Sequence, residues 1–411
     1  MSISKVKQPR ILVLGAYGLI GAGVCHHLIA QGFDVTGLGR NAQTAKRTLP
    51  FLSWIIADLR NLQSPQAWLP KLAGIDMVVN CAGALQDGGS DSTDLVQHRA
   101  IAALAEACST SNTKIVQISA VGAEPEASTA FMRTKALGDQ AVRDSSVDWW
   151  IFRPGLVIAP NAYGGTALIR MLAAAPLVQP LAVADAPVQT IALSDVAEAV
   201  ANAIAGQIPP GTECDLVEDK THTLAEIIAA HRVWLGFQPA RWTWRAPDWF
   251  VRLVTKAADG LGTLGWRPAL RSTAVDTLRG GVVGDTQAWR KAGGQPLHDL
   301  HATLQSMSAT AEDRLASRLA LLFPIIIATL FVFWLSAGIV GLLQLNDAAA
   351  VLTAAGWATP MAQASVVFWS FIDVMLAFAL LVRRFAKLAC WLMVVVSLFY
   401  LAASSLLVPH L

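Results

Sequence analysis

The sequence predicts an α/β fold, a doubly wound parallel sheet with a small lobe, followed by an α-helical transmembrane bundle. Three observations predict it. Apolar runs alternate with helical patterns from residue 10 to 153. A glycine turn, Gly15-Ala16-Tyr17-Gly18-Leu19-Ile20-Gly21, separates the first apolar run from the first helical pattern. Long uncharged stretches fill the last quarter of the chain.

The 411 residues allow two or three domains. With 54% hydrophobic and 15% charged residues, the chain is too apolar for an ordinary soluble protein. A net charge of +2 supplies no basic field for nucleic acid, which is excluded as a partner. The cysteines, Cys25, Cys81, Cys108, Cys214 and Cys390, are scattered without a Cys-x-x-Cys pair. That pattern fits a reducing compartment and argues against a disulfide framework or a metal site. Residues 1–10 lack a signal-peptide core, so the first domain is expected in the cytosol.

Strands are predicted at 11–14, 35–38, 54–57, 77–80, 114–118 and 149–152, with helices at 19–31, 42–49, 65–72, 93–111 and 130–144. Continuous apolar strands alternating with helices imply a parallel sheet covered on both faces, of Rossmann type, with its ligand at the carboxyl ends of the strands. Glycines in the first turn let the backbone bend and approach a pyrophosphate, which the N–H groups of the next helix then hold. Gly15, Tyr17, Gly18, Leu19, Ile20 and Gly21 are therefore cofactor-binding candidates. The second strand ends at Leu38-Gly39-Arg40, where an NAD site would carry an acidic residue. Arg40, with Lys46 and Arg47 nearby, suits a 2′-phosphate instead and favours NADP(H) over NAD(H). Asp58-Leu59 and Cys81-Ala82-Gly83 follow the third and fourth strands, where a dinucleotide would pass. Tight strand-to-helix turns explain the same residues.

Several motifs occur in order: Gly15-x-x-Gly18-x-x-Gly21, Asp58-Leu59, Cys81-Ala82-Gly83, Ser119-Ala120-Val121-Gly122, Lys135, Arg153-Pro154-Gly155 and Ser194-Asp195-Val196-Ala197. On these, residues 10–284 resemble the extended and atypical branch of the short-chain dehydrogenase/reductase superfamily. The nearest look is to the group that includes the Rossmann-domain accessory subunit of respiratory complex I. The resemblance implies an NAD(P) cofactor touching Pro154, with Ser119 and Lys135 as catalytic residues. Family enzymes place a tyrosine four residues before the lysine, as proton donor or acceptor. This chain reads Phe131-Met132-Arg133-Thr134-Lys135. Phenylalanine has no proton to exchange, while Lys135 can still hold the nicotinamide ribose. Tyr163, beyond the sixth strand, is the candidate substitute acid, and His98 is another.

Further pieces at 165–175, 188–191, 195–205, 213–217 and 224–235 complete the sheet and form a small lobe, which in the family binds substrate. Its apolar residues, such as Leu156, Ile158, Leu168 and Met171, suit a hydrophobic substrate and an ordinary core equally. Tryptophans cluster at Trp234, Trp242, Trp244, Trp249, Trp266 and Trp289. Trp249, Phe250, Leu253, Val254, Ala257 and Leu261 fall at helical spacing among Arg245, Arg252, Lys256, Arg267 and Arg271. A membrane interface and a core-facing helix both explain that stripe.

Spans are predicted at 320–345, 359–382 and 388–408, each above the ~20 residues a bilayer requires. Arg314 and Arg318 precede the first, and Arg383, Arg384 and Lys387 separate the second from the third. The positive-inside rule then puts the nucleotide domain and second loop in the cytosol, with the protein in the inner membrane of a bacterium. Asp373, inside the second span, needs a partner or a role; Ser370 and Trp369 are the helical neighbours that offer donors. Its role is a helix–helix hydrogen bond or the handling of protons or quinone. The stretches Trp334-Leu335-Ser336-Ala337-Gly338 and Phe371-Ile372-Asp373-Val374-Met375 resemble the DoxX-like membrane family, usually four spans, of which three are evident.

The domains expected are a cofactor-binding core at 1–155, the rest of the sheet and the lobe at 156–312, and a membrane domain at 313–411. The function expected is a membrane-anchored NAD(P)H oxidoreductase acting on a hydrophobic substrate, such as a quinone or isoprenoid lipid. The alternative is a non-catalytic NADP(H)-binding subunit of a membrane redox or quinone-biosynthesis complex.

Overall fold

The computed structural model describes residues 8–84, 92–266, 268 and 270–407. Arg267 and the end of the third predicted span at Val408 lie outside the described residues. The chain divides into two compact units, Met1–Thr255 with Ala269–Ser317, and Lys256–Pro268 with Arg318–Leu411.

The first unit is built on strands β1 (Arg10–Leu14), β2 (Asp34–Gly39), β3 (Ser53–Ile56), β4 (Met77–Asn80), β5 (Lys114–Ile118) and β6 (Trp149–Pro154). Helices α1 (Leu19–Ala30), α2 (Ala42–Thr48), α3 (Pro65–Leu72), α4 (Ala100–Ser111) and α5 (Ala130–Arg143) alternate with them. A π-helical turn, Asp94–Arg99, leads into α4. The lobe adds β7 (Leu156–Ile158), α6 (Gly165–Ala173), β8 (Val178–Leu181), β9 (Pro187–Val188) and β10 (Thr190–Ala192). Next come α7 (Leu193–Ile204), β11 (Thr212–Leu216), β12 (His222–Thr223), α8 (Leu224–Trp234), β13 (Trp242–Arg245) and α9 (Asp248–Thr263), whose residues from Lys256 on belong to the second unit. Short helices α10 (Ser272–Arg279), α11 (Gln287–Lys291) and α12 (Leu300–Gln305) come after α9.

The main sheet has the order β11-β6-β5-β4-β1-β2-β3 and is parallel throughout. The strand order reverses between β1 and β4, which opens a crevice at their carboxyl ends. Alternation along β1 divides its side chains: Ile11 and Val13 enter one core, Leu12 and Leu14 the other. Val24, Cys25 and Leu28 of α1 and Val196 and Val200 of α7 cover the first face. Trp68 and Leu72 of α3 with Ile101 and Leu104 of α4 cover the second. The predicted strand at 213–217 takes the sheet edge beside β6, Cys214 opposite Phe152. The apolar run at 188–191 divides in two: Val188 pairs with His222, while Thr190–Ala192 runs beside Leu156–Ile158.

The second unit contains α13 (Ala311–Leu343, which starts in the first unit), α14 (Leu345–Ala354), α15 (Thr359–Leu381) and α16 (Arg383–Leu407). Among the described residues α13, α15 and α16 are long and apolar enough to cross a membrane. The expected loop of Arg383, Arg384 and Lys387 is instead the start of α16, and Val382 alone, in extended conformation, separates the two helices. Arginine and lysine are good helix formers, so the helix begins as soon as the chain has reversed. The donor to Asp373 is also different from the helical neighbours expected: Tyr400 of α16 gives its hydroxyl to Asp373 Oδ1 at 3.0 Å. A partner on the facing helix was invisible to spacing along α15. Gly338 packs against α15, where a Cβ would lie 2.6 Å from the Ser370 carbonyl, so small residues let these helices approach.

Candidate cofactor site

The glycine turn lies in the crevice between β1 and β4. Gly15 has φ +67°, and a Cβ there would sit 2.9 Å from Ala82 Cα. At Gly21 a Cβ would sit 2.3 Å from the Gly15 carbonyl oxygen. Side chains are thus excluded by backbone at both positions. Gly18 caps α1, which starts at Leu19, so the first N–H groups of the helix, on Leu19, Ile20 and Gly21, have no intrahelical partner. Tyr17 leans across the end of β2: its ring lies where a Gly39 Cβ would be, and its hydroxyl accepts from the Arg40 N–H at 3.2 Å. Tyr17 and Arg40 are thereby brought together at the tip of β2.

Asp58 accepts from the Arg60 backbone at 3.0 Å and from its guanidinium at 2.7 Å. These bonds hold its carboxyl below the ordinary aspartate range. Leu59 points into the core. Cys81 sits after β4 with its N–H bonded to the Leu14 carbonyl, and burial pushes its thiol up. Pro154, at the end of β6, is buried and accepts from the Val121 N–H at 3.2 Å.

Ser119, just after β5, and Lys135, within α5, each bond at the end of β5. Lys135 Nζ donates to the Ile118 carbonyl at 2.7 Å. Ser119 Oγ donates to Asp139 Oδ2 at 2.5 Å. Asp139 is fully buried and also accepts from Gln117 Nε2 at 3.2 Å. Gln117 accepts from Asn80, and Asn80 accepts from the Ala82 N–H, so hydrogen bonds run from the turn after β4 to Ser119. Burial lowers the Lys135 pKa below the usual lysine value, against the pull of Asp139 and Cys81. Burial raises that of Asp139, against its bonds from Ser119 and Gln117 and the charges of Lys135 and Arg153.

Asp139 was missed by sequence reasoning, although a signal existed: Phe131, Lys135 and Asp139 recur every fourth residue on one face of α5. Gln97 was missed too, and its backbone sits in a π-helical turn that spacing does not reveal. Its amide donates to Thr134 Oγ1 at 3.0 Å, while among the described residues its Oε1 has no hydrogen-bond partner. A Cβ on Gly83 would lie 3.2 Å from that oxygen and 3.8 Å from Lys135 Nζ. A buried acceptor and a buried amine therefore border a position without a side chain, which fits the hydroxyls of a ribose. Tyr163 is 64% exposed, ahead of α6, and no hydrogen bond joins its phenol to this cluster among the described residues. His98 Nδ1 is paired with Asp94 at 2.9 Å.

Residues 15–207 match the NAD(P)H-binding family, and residues 331–411 match the DoxX-like family. The chain joins an NAD(P)H-binding Rossmann domain to a DoxX-like membrane domain. The chain is similar to the photosystem II assembly factor Ycf39 of Cyanophora paradoxa, with 25% identity over 145 residues. That match covers 35% of this chain and 44% of the relative, so the chain spans less than half the length of the curated protein it matches. Among solved structures it is similar to the Bordetella bronchiseptica enzyme WbmG in complex with NAD, at TM-score 0.56 and 16% identity over 74% of this chain and 94% of that one. It is also similar to the Escherichia coli NADPH-dependent quinone oxidoreductase QOR2 complexed with NADPH, at TM-score 0.54 and 18% identity over 72% of this chain and 99% of that one. At these identities the likeness is one of fold. The glycine turn, the helix start at Leu19 and the Gly83–Gln97–Lys135 border are the parts of the NAD(P)H-binding domain that fit the dinucleotide.

Proposed function

We propose that the protein is a membrane-anchored NAD(P)H oxidoreductase that reduces a hydrophobic acceptor of the quinone class, and that it prefers NADP(H). The observation that carries this reading is a retained cofactor cradle, with Lys135 beside Gly83, on a chain whose other domain is DoxX-like. The dinucleotide, when bound, supplies a hydride. Gly15 and Gly21 leave room for the backbone to hold the pyrophosphate, and Lys135 with Gln97 Oε1 holds the ribose. Ser119 presents lone pairs, since its proton is directed to Asp139. Phe131 has no proton to give, so the proton that completes reduction comes from water, a source a quinone acceptor tolerates. Arg40, at the tip of β2, supports NADP(H) through pairing with a 2′-phosphate. An NADPH-dependent quinone oxidoreductase built on the same fold is consistent with this chemistry. The inner membrane of a bacterium, with the cofactor domain in the cytosol, suits the supply of NADPH.

A second reading is favoured by Phe131 and by the commitment of the Ser119 proton: a non-catalytic NADP(H)-binding subunit of a membrane redox or quinone-biosynthesis complex. Similarity to a protein named as an assembly factor supports it. Purified protein with NADPH and a panel of short-chain quinones separates the two. NADPH oxidation dependent on quinone and abolished by Lys135→Met supports the enzyme. Tight NADPH binding with no turnover on any acceptor overturns it and leaves the subunit.

A further inference from the structure

We propose that the exposed face formed by β13 and the first half of α9 lies in the headgroup layer of an anionic bilayer, the membrane crossed by the chain's own spans. The spacing of α9 placed Trp249, Phe250, Leu253, Val254, Ala257 and Leu261 in one apolar stripe, but the structure divides that stripe. Val251, Thr255, Ala258 and Gly262 form the buried edge of the helix. Trp249 is 64% exposed and Leu253 60%, and the basic residues Arg252 and Lys256 stand exposed on the same face. Trp242 and Trp244 of β13 are exposed as well, and the Trp244 and Trp249 rings both pack edge-on against Phe250, at 5.0 and 5.8 Å. Three tryptophans and a leucine therefore make one continuous apolar surface bordered by cations. A water-exposed cluster of that kind is uncommon, and indole rings beside lysine and arginine fit the boundary between headgroups and acyl chains.

The chain just beyond α9 identifies the occupant. The helix runs unbroken to Thr263, and the next residues are bonded to the ends of two spans. The Leu264 carbonyl accepts from the Arg383 N–H at 3.1 Å, the Gly265 carbonyl from its guanidinium at 3.2 Å, and the Trp266 indole donates to the Leu381 carbonyl at 2.6 Å. Leu381 ends α15 and Arg383 begins α16, so within the second unit the chain that continues α9 is held at the level where two spans end. Arg383, Arg384 and Lys387 at that level match Arg252 and Lys256 in sign, as expected beside anionic headgroups.

The test uses the full chain in nanodiscs of phosphatidylcholine and phosphatidylglycerol, with acyl chains carrying bromine near the glycerol. The readout is the tryptophan emission of the parent minus that of Trp242→Phe/Trp244→Phe/Trp249→Phe, with unchanged NADPH binding as the control for folding. Bromine is expected to quench this difference signal about twofold, and Arg252→Glu/Lys256→Glu to reduce the quenching. A difference signal that bromine leaves unchanged overturns the proposal. That holds whether the emission is that of indoles in water or is blue-shifted because a second copy or another protein covers them, which the particle mass distinguishes.

Discussion

Ser119 Oγ donates its proton to the Asp139 carboxyl group at 2.5 Å, inside the core and one helical turn beyond Lys135. The bond ties the end of β5 to α5. Gln117 donates to the same carboxyl group, so two buried donors depend on one acceptor.

Asp139→Ala removes that acceptor and leaves the Ser119 hydroxyl and the Gln117 amide unpaired. Each buried unpaired group costs about 1–3 kcal/mol, so a loss of roughly 2–5 kcal/mol is expected. Asp139→Asn keeps one accepting oxygen and is expected to cost less. Urea unfolding of the detergent-solubilised chain measures both, and equal stability of parent and Asp139→Ala would contradict the network.

In the proposed reading Lys135 holds a ribose as a protonated amine, and burial has lowered its pKa. NADPH affinity is therefore expected to fall as pH rises through that lowered value, below the ordinary lysine pKa of 10.5. Its effect on stability runs the other way. The unfolded chain holds the proton more tightly, so the cost of burying the charge is fully present below the folded pKa and is relieved as pH rises. Fluorescence titrations of NADPH across the alkaline range check the first point. Lys135→Gln is expected to bind weakly at every pH, without the inflection.

His231 is fully buried, with Nδ1 bonded to the Ile227 carbonyl at 2.9 Å, and burial lowers its pKa from 6.5 to about 4. Between those values the unfolded chain takes up the extra proton. The contribution to stability is therefore complete above pH 6.5 and is lost as pH falls towards 4, a difference of roughly 3 kcal/mol. Acid unfolding followed by tryptophan emission is expected to shift to lower pH in His231→Gln relative to its own neutral stability. An unchanged acid limb would count against the assignment.

Arg40→Asp exchanges a cation suited to a 2′-phosphate for an acceptor suited to ribose hydroxyls. NADPH affinity is expected to fall about tenfold or more, with NADH affinity held or improved. Parallel calorimetric titrations with the two cofactors decide it, and equal losses for both would remove Arg40 from the 2′ position.

Tyr400→Phe leaves Asp373 without the hydroxyl it accepts from, among the described residues. An unpaired polar group within a span costs about 1–3 kcal/mol, so the melting temperature in detergent is expected to fall, and Asp373→Leu/Tyr400→Phe to recover most of the loss. A variant as stable as the parent would show that the bond carries no net stability.

Much of the architecture was legible because it depends on local pattern. The strands of the core announce themselves as apolar runs of β-branched and aliphatic residues, and Gly15 and Gly21 mark places where backbone meets backbone. The site was legible only in part. Ser119 and Lys135 could be named, but not that the Ser119 proton is taken by Asp139, since that acceptor arrives from a helix folded back over the sheet. Gln97 was hidden because a π-helical turn shifts the register by which a helix face is read. The Trp249 stripe left both a membrane interface and a core-facing helix open, because period alone cannot say which apolar positions meet a partner.

By itself the sequence determined where the chain must bend tightly and which segments are long and apolar enough to span a bilayer. Each of these rests on residues next to one another along the chain. Only the tertiary structure decided the acceptor of the Ser119 proton, the partner of Asp373, the placing of Gln97 Oε1 and Lys135 beside Gly83, and the exposure of Trp249 and Leu253. Those depend on which distant segments are brought into contact, and a hydrogen bond or a covered surface exists only once both sides have arrived.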